Sequence, residues 1–118
     1  MSPDDMKQRT KAFALRVIRL VQSLPNDTVG QILGKQVLRS GTSVGANYRA
    51  ACRARSTAEF CAKLGIVEEE ADETIYWIEL IGDAKLVKSG RLSSLMQEAN
   101  EILSIVVSSI KTARRRKH

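Results

Sequence analysis

Three groups of residues in this chain have types and spacings that could do chemistry. The first is the run RSGTSVGANYRAACRARS at 39–56, where two glycines four apart enclose hydroxyls and arginines follow. A phosphate-cradling loop is built from such residues, but it needs GxxxxGK[ST] after a strand. Here only three residues separate Gly41 from Gly45, and Ala46–Asn47 follow. No GxGxxG fingerprint is present either. The second group is the carboxylates Glu68, Glu69, Glu70, Asp72, Glu73 and Glu79, which have the donor chemistry of a metal site. Di-iron bundles add Glu-x-x-His pairs from facing helices, whereas the sole histidine here is His118, at the end of the chain. That leaves only a Mg²⁺ site shared between subunits as a metal reading, and no metal or cofactor is expected. The third group is the nucleophiles. Cys52 and Cys61 lack both a histidine base and the ligand number of a zinc site, and Ser40, Thr42 and Ser43 lack a triad partner. No general acid–base pair can be assembled, so the chain is not expected to be an enzyme.

The elements that carry these residues follow from period and punctuation. Ser2–Pro3 offers a cap and a first-turn proline, and Met6, Thr10, Phe13, Val17, Leu20 and Leu24 then recur at helical spacing. Pro25 closes that helix and Asn26–Asp27 caps the next, predicted over 28–54. Its core stripe is Val29, Leu33, Val37, Ser40, Val44 and Ala51. Ser56 with Glu59 reads as a capping box for a third helix over 57–84, with Phe60, Leu64, Val67, Ala71, Ile75 and Ile78 inward. After a turn at Lys85–Gly90, a fourth helix over 90–112 presents Leu92, Leu95, Met96, Ala99, Ile102, Leu103, Val106 and Ile110. Four amphipathic helices with short turns predict an all-α, antiparallel up-down-up-down four-helix bundle over 1–113. Residues 114–118 read as a basic tail that frays.

The stripe of the second helix runs through GTSVG without resetting its period, so this segment is predicted to be helical. Its small residues then serve close helix packing at a cost of about 1 kcal/mol per glycine, with Gly65 on the third helix as a facing partner.

One hundred and eighteen residues suffice for one core without disulfides. The five aromatics leave that core to Leu, Ile, Val and Ala. The start, MSPDDMKQRT, lacks the basic-then-apolar pattern of a signal peptide, and the longest apolar run, ILSIVVSSI at 102–110, is too short to span a bilayer. The cysteines read as ordinary thiols. The expected location is cytoplasmic, with no membrane association. Charge is segregated: residues 1–58 hold ten Lys/Arg and three Asp/Glu, 59–83 hold one and eight, and 84–118 hold eight and two.

Two surfaces stand out against this frame. Opposite the core stripe of the third helix lie Glu69, Asp72 and Glu73 with Tyr76, Trp77 and Leu80, and large apolar groups on a far side imply a second contact. The outer stripe of the second helix carries Lys35, Arg39, Arg49 and Arg53. Three readings of that stripe stay open: intrachain pairs with the third helix, a subunit interface against the acids of a neighbour, and a nucleic-acid groove. Positive charge elsewhere gathers at Lys7, Arg9, Lys11, Arg16 and Arg19 on the first helix and at Arg114, Arg115, Arg116 and Lys117 in the tail. Such clusters suit phosphate neutralisation.

The centre of the chain, LRSGTSVGANYRAACRARSTAEFCAKLGIVEEEADETIYWIELI at 38–81, resembles a bacterial family. Its members are four-helix bundle proteins encoded in intervening sequences of 23S ribosomal RNA genes. Many of them read S-I-P-S-N where this chain reads Ser43-Val44-Gly45-Ala46-Asn47, so the proline kink they carry is not implied here. The resemblance implies a four-helix bundle that forms a ring, often a homopentamer, with no established enzymatic activity. A more distant likeness, to the accessory variability protein of diversity-generating retroelements, implies a nucleic-acid partner by analogy. The resulting expectation is a ring-forming, non-catalytic basic scaffold or adaptor that engages RNA or DNA backbone. The alternative is a purely protein-binding assembly module whose charges pair subunits.

Overall fold

A computed structural model of the chain describes residues 1–116. Among them the regular elements are α1 (Pro3–Gln22), α2 (Thr28–Cys52), α3 (Thr57–Asp83) and α4 (Ser89–Arg116), with no strand. The helix starts are held as the sequence demands. The Ser2 hydroxyl accepts the Asp5 N–H at 3.1 Å while the Asp5 carboxylate accepts the Ser2 N–H at 3.0 Å, a complete capping box. Asp27 accepts from the Gly30 N–H at 2.8 Å. Ser56 accepts from Glu59 at 3.0 Å, but the Glu59 carboxylate reaches one residue further back, to the Arg55 N–H at 3.1 Å. The expected box at α3 is therefore incomplete, because the carboxylate takes the Arg55 N–H in place of the Ser56 N–H. α3 ends in a Schellman turn, with Leu86 N–H donating to Ile81 C=O at 3.2 Å and Lys85 N–H to Gly82 C=O at 3.0 Å. Lys85 takes the left-handed position at φ 58°, where glycine is usual.

Consecutive helices pack along their lengths, α1 touches α4 along a thin seam, and the diagonal pairs do not meet. The result is an up-down-up-down bundle 51 Å long and about 20 Å across. Direction is read from paired positions. Gly34 lies against Leu24 and Val21, Gly41 against Val17, and Gly45 against Thr10, so α2 descends as α1 ascends. The core contains Phe13 and Val17 of α1, Val37 and Val44 of α2, Leu64, Val67, Ile78 and Ile81 of α3, and Ile102 and Val106 of α4, all fully buried. One polar bridge crosses it, a 2.9 Å hydrogen bond between the buried hydroxyls of Thr74 and Ser40.

Three further expectations need correction. Val29 is 52% exposed rather than core. Two four-residue steps back from Val37 rotate a 3.6-residue helix about 80° away from the core line, so the stripe has left the interior by the first turn. The glycine flank of α2 faces α1, not α3. A Cβ at Gly41 would meet both Val17 methyls at 2.9 Å, whereas one at Gly65 would meet nothing within 4 Å. Finally, the segment from 114 does not fray at once: α4 continues as helix through Arg116. Lys117 lies outside the described residues. Helix α2 is continuous through GTSVG, which is therefore a packing segment and not a loop.

Candidate nucleic-acid interface

The bundle divides the sequence-predicted cations into engaged and free groups. Arg9 reaches from α1 to α4, where its Nε and Nη2 donate to the two carboxylate oxygens of Glu98 at 2.8 and 2.6 Å. Nη2 also meets Glu101 at 3.0 Å. This bidentate fork is largely covered, with about a fifth of each of the Arg9 and Glu98 side chains accessible (21% and 20%). The Arg9 hydrogen bonds hold the Glu98 carboxyl below the usual carboxylate range, against the opposing effect of burial. Arg16 donates to Ser94 on the same seam at 2.9 Å. Lys11 and Arg19 are exposed, and Lys7 meets only the exposed Asp4, at 3.8 Å.

The basic stripe of α2 is divided likewise. Arg39 pairs with Glu73 and, at 3.1 Å, with Glu70 of α3, as the intrachain reading anticipated for this residue. Arg39, and after it the Trp77 indole N–H donating at 3.2 Å, lowers the Glu73 pKa. Lys35, Arg49 and Arg53 remain exposed. On α3 the outward Glu69 and Asp72 are exposed, and Trp77 and Leu80 are half-buried. Tyr76 is 55% exposed and meets Trp77 edge-on at 5.1 Å between ring centres. The structure adds Val29 and Ile32 to this surface, with Ile32 also 55% exposed. Ile32 lies two turns from Arg39 on α2, and Tyr76 and Leu80 lie one and two turns from Glu73 on the antiparallel α3. The Arg39–Glu73 pair therefore puts the three apolar groups on one side of the rod. Reading α2 strictly at 100° per residue, rather than by four-residue steps, would have exposed Val29 and Ile32.

Axial position matters more than helix membership. At the end where α1 and α3 begin and α2 and α4 finish, residues 1–7, 49–65 and 109–116 hold nine Lys/Arg and three Asp/Glu. Those three acids have local partners: Asp5 and Glu59 accept backbone N–H groups and Asp4 meets Lys7. At the opposite end, residues 21–35 and 79–95 are nearly balanced, with four Lys/Arg and three Asp/Glu. The fold thus collects Lys7, Arg49, Arg53, Arg55, Lys63, Lys111 and Arg114–Arg116 at one pole. Lys63 escaped the sequence reading because it is the single cation of the acidic stretch 59–83, and Arg55 and Lys111 because each lies just outside the cluster named beside it.

Two recesses open at this pole. A groove of about 520 Å³ between α1 and α2 has a floor of Ala14, Gly45 and Ala46 and a rim of Lys7, Lys11 and Arg49. An end cleft of about 990 Å³ has Tyr48, Cys52, Phe60 and Ile105 beneath, serine and threonine hydroxyls of α4 along one wall, and Lys7, Arg55 and Arg116 around it. Burial, with a smaller effect from Cys52, pushes the Tyr48 phenol up to about 12. Ser104 and Ser108, exposed on α4, line this cleft. Among the described residues no cluster of three or more His, Cys, Asp or Glu side chains could hold a metal. None of these helices is long and apolar enough to cross a membrane.

The α1–α4 fork makes a pH-dependent contribution to stability. Glu98 has a depressed folded pKa, so its contribution is full above the unfolded carboxylate value and is lost as pH falls through the folded value. Against Arg9→Met, the native chain should show about 1–2 kcal/mol of extra stability above about pH 5, modest because both side chains keep some contact with water. Thermal unfolding in a pH series should show the two curves converging as pH falls below the usual carboxylate range.

A solved structure with the same architecture is that of a protein of unknown function from the S23 ribosomal protein family of Bacteroides thetaiotaomicron VPI-5482. It superposes with a TM-score of 0.87 at 38% sequence identity, covering 94% of this chain and 99% of that one. No functionally curated protein matches the chain. The model of the 23S rRNA-intervening sequence protein family matches residues 4–108, nearly its whole length. The chain belongs to that family.

Proposed function

We propose that this protein is a non-catalytic scaffold that self-associates through the outer α2/α3 face and binds the backbone of RNA or DNA with its basic pole. The observation that carries the nucleic-acid half is the axial concentration of cations: nine Lys/Arg against three locally engaged acids at one end. Counterion release by such a cluster supplies affinity that is strongly salt-dependent and weakly dependent on sequence. The self-association half rests on the exposed Val29, Ile32 and Tyr76. They lie beside outward acids on α3 that can meet Lys35 of a neighbour, away from the basic pole. Because the acids lie on α3 and Lys35 on α2, α3 of one copy meeting α2 of the next is a heterologous contact, which closes into a ring if its rotation permits. Five subunits is the number that the family resemblance implies.

The two halves favour different readings, and one experiment separates them. Light-scattering mass is measured on nuclease-treated protein, alone and with an RNA at low and high salt. The expected result is a defined multiple of 13.1 kDa that gains RNA mass at low salt only. An oligomer indifferent to RNA would leave the protein-assembly module as the function. A monomer would sink the α2/α3 interface.

A further inference from the structure

We propose that the end cleft receives an unstacked base of the bound strand, so that the protein prefers single-stranded nucleic acid or a free strand end to a continuous duplex. This rests on the basic-pole reading and assigns its substrate class. At about 990 Å³ the cleft is at the upper end of the range of small-molecule sites, roughly 300–1,000 Å³. Its lining is amphipathic in the order a nucleotide needs. Phe60 and Ile105 offer an apolar surface for a planar ring, Ser108 and Thr112 offer hydroxyls to its edge, and Arg55 and Arg116 offer charge to its phosphate. Phe60 is half-buried and is an aromatic group next to the free cations, whereas Tyr76 and Trp77 sit among acids. Stacking on an aromatic ring tolerates any base, which agrees with backbone-driven binding. Between its ends a duplex presents no free base face, yet it carries the denser phosphate charge. A preference for single strands would therefore run against the electrostatic trend and must come from the cleft.

A free nucleoside monophosphate has the same chemistry as a strand residue, so both are probed. The protein is titrated by fluorescence anisotropy with a short labelled single strand and a blunt duplex of the same sequence, and by competition with a nucleoside monophosphate. Ser108→Trp fills the cleft from an exposed helix position. Phe60→Leu keeps apolar volume and removes the ring. The expected result is about tenfold tighter binding of the single strand, lost in both variants while duplex binding is unchanged. Equal binding of both forms, or a preference that survives both variants, would overturn the cleft assignment and leave the basic pole standing. A monophosphate that competes as strongly as the strand would reassign the cleft to free nucleotides and overturn the strand-end role. If no probe binds even at low salt, the basic-pole reading falls and takes this inference with it.

Discussion

Reversing Lys7, Lys11 and Arg115 to glutamate should lower nucleic-acid affinity on the order of a hundredfold at low salt, with helix content and oligomer mass unchanged. Each cation that leaves a phosphate contact should also reduce the slope of log K against log salt by about 0.7–0.9. The comparison that gives this result meaning is Arg9 with Arg16. On the sequence alone these two stand with Lys7 and Lys11 as one basic cluster. In the bundle Arg9 is held by Glu98 and Glu101, and Arg16 donates to Ser94. Replacing both with methionine should leave affinity within about threefold and instead lower the melting temperature, because Arg9 is already paired with carboxylates and Arg16 is held on the same seam by Ser94, beside Glu98. Filter binding across a salt series, with circular dichroism on each variant, distinguishes the two outcomes. A larger loss of affinity from the Arg9 and Arg16 variant than from the triple reversal would refute the division into engaged and free cations.

Gly30→Ala should destabilise the protein by about 3 kcal/mol and lower its melting temperature by about 12 °C. Exposed helix positions favour alanine over glycine by about 1 kcal/mol, so the sign is decided by what the new Cβ meets. At Gly30 it would lie 2.0 Å from the Pro25 carbonyl oxygen and 3.2 Å from the capping carboxylate of Asp27. The first obstacle is backbone in the α1–α2 turn and cannot rotate away. The matched case is Gly65→Ala, where nothing lies within 4 Å. That substitution should raise stability by about 1 kcal/mol and the melting temperature by about 4 °C. Thermal unfolding of the two single variants tests both signs. A stable Gly30→Ala protein would mean that the turn can open without loss.

These cases also mark how far the residues alone could be read. The helices, their order and most of their inward faces were legible because three- and four-residue spacing is a local property. Met6, Thr10, Phe13 and Val17 needed no knowledge of a partner, and all four are buried. Family and fold class were legible for the same reason, since the run around GTSVGANYRAACRARS is local too. What required the structure was axial register and rotation between helices. Whether Arg39 pairs within its own chain depends on Glu70 and Glu73 being level with it on α3. Whether Gly65 faces a neighbouring helix depends on rotation of α3, which turns it to open space. Val29 was misplaced because counting in fours accumulates an angular error that only shows after two turns. The basic pole and its cleft gather residues from both ends of the chain and from the α2–α3 turn. No window of the sequence contains them together.

The thin α1–α4 seam bears on how the chain folds. Every other helix contact joins neighbours in sequence, so α1–α2, α2–α3 and α3–α4 can form as successive hairpins with little loop-closure entropy, the regime of micro- to millisecond folding. The Arg9–Glu98 fork joins residues 89 positions apart and can lock only after those hairpins have stacked. An interaction made that late lies on the native side of the transition state. It would leave the folding rate almost untouched and slow only the first step of unfolding, in which α1 peels away from α4.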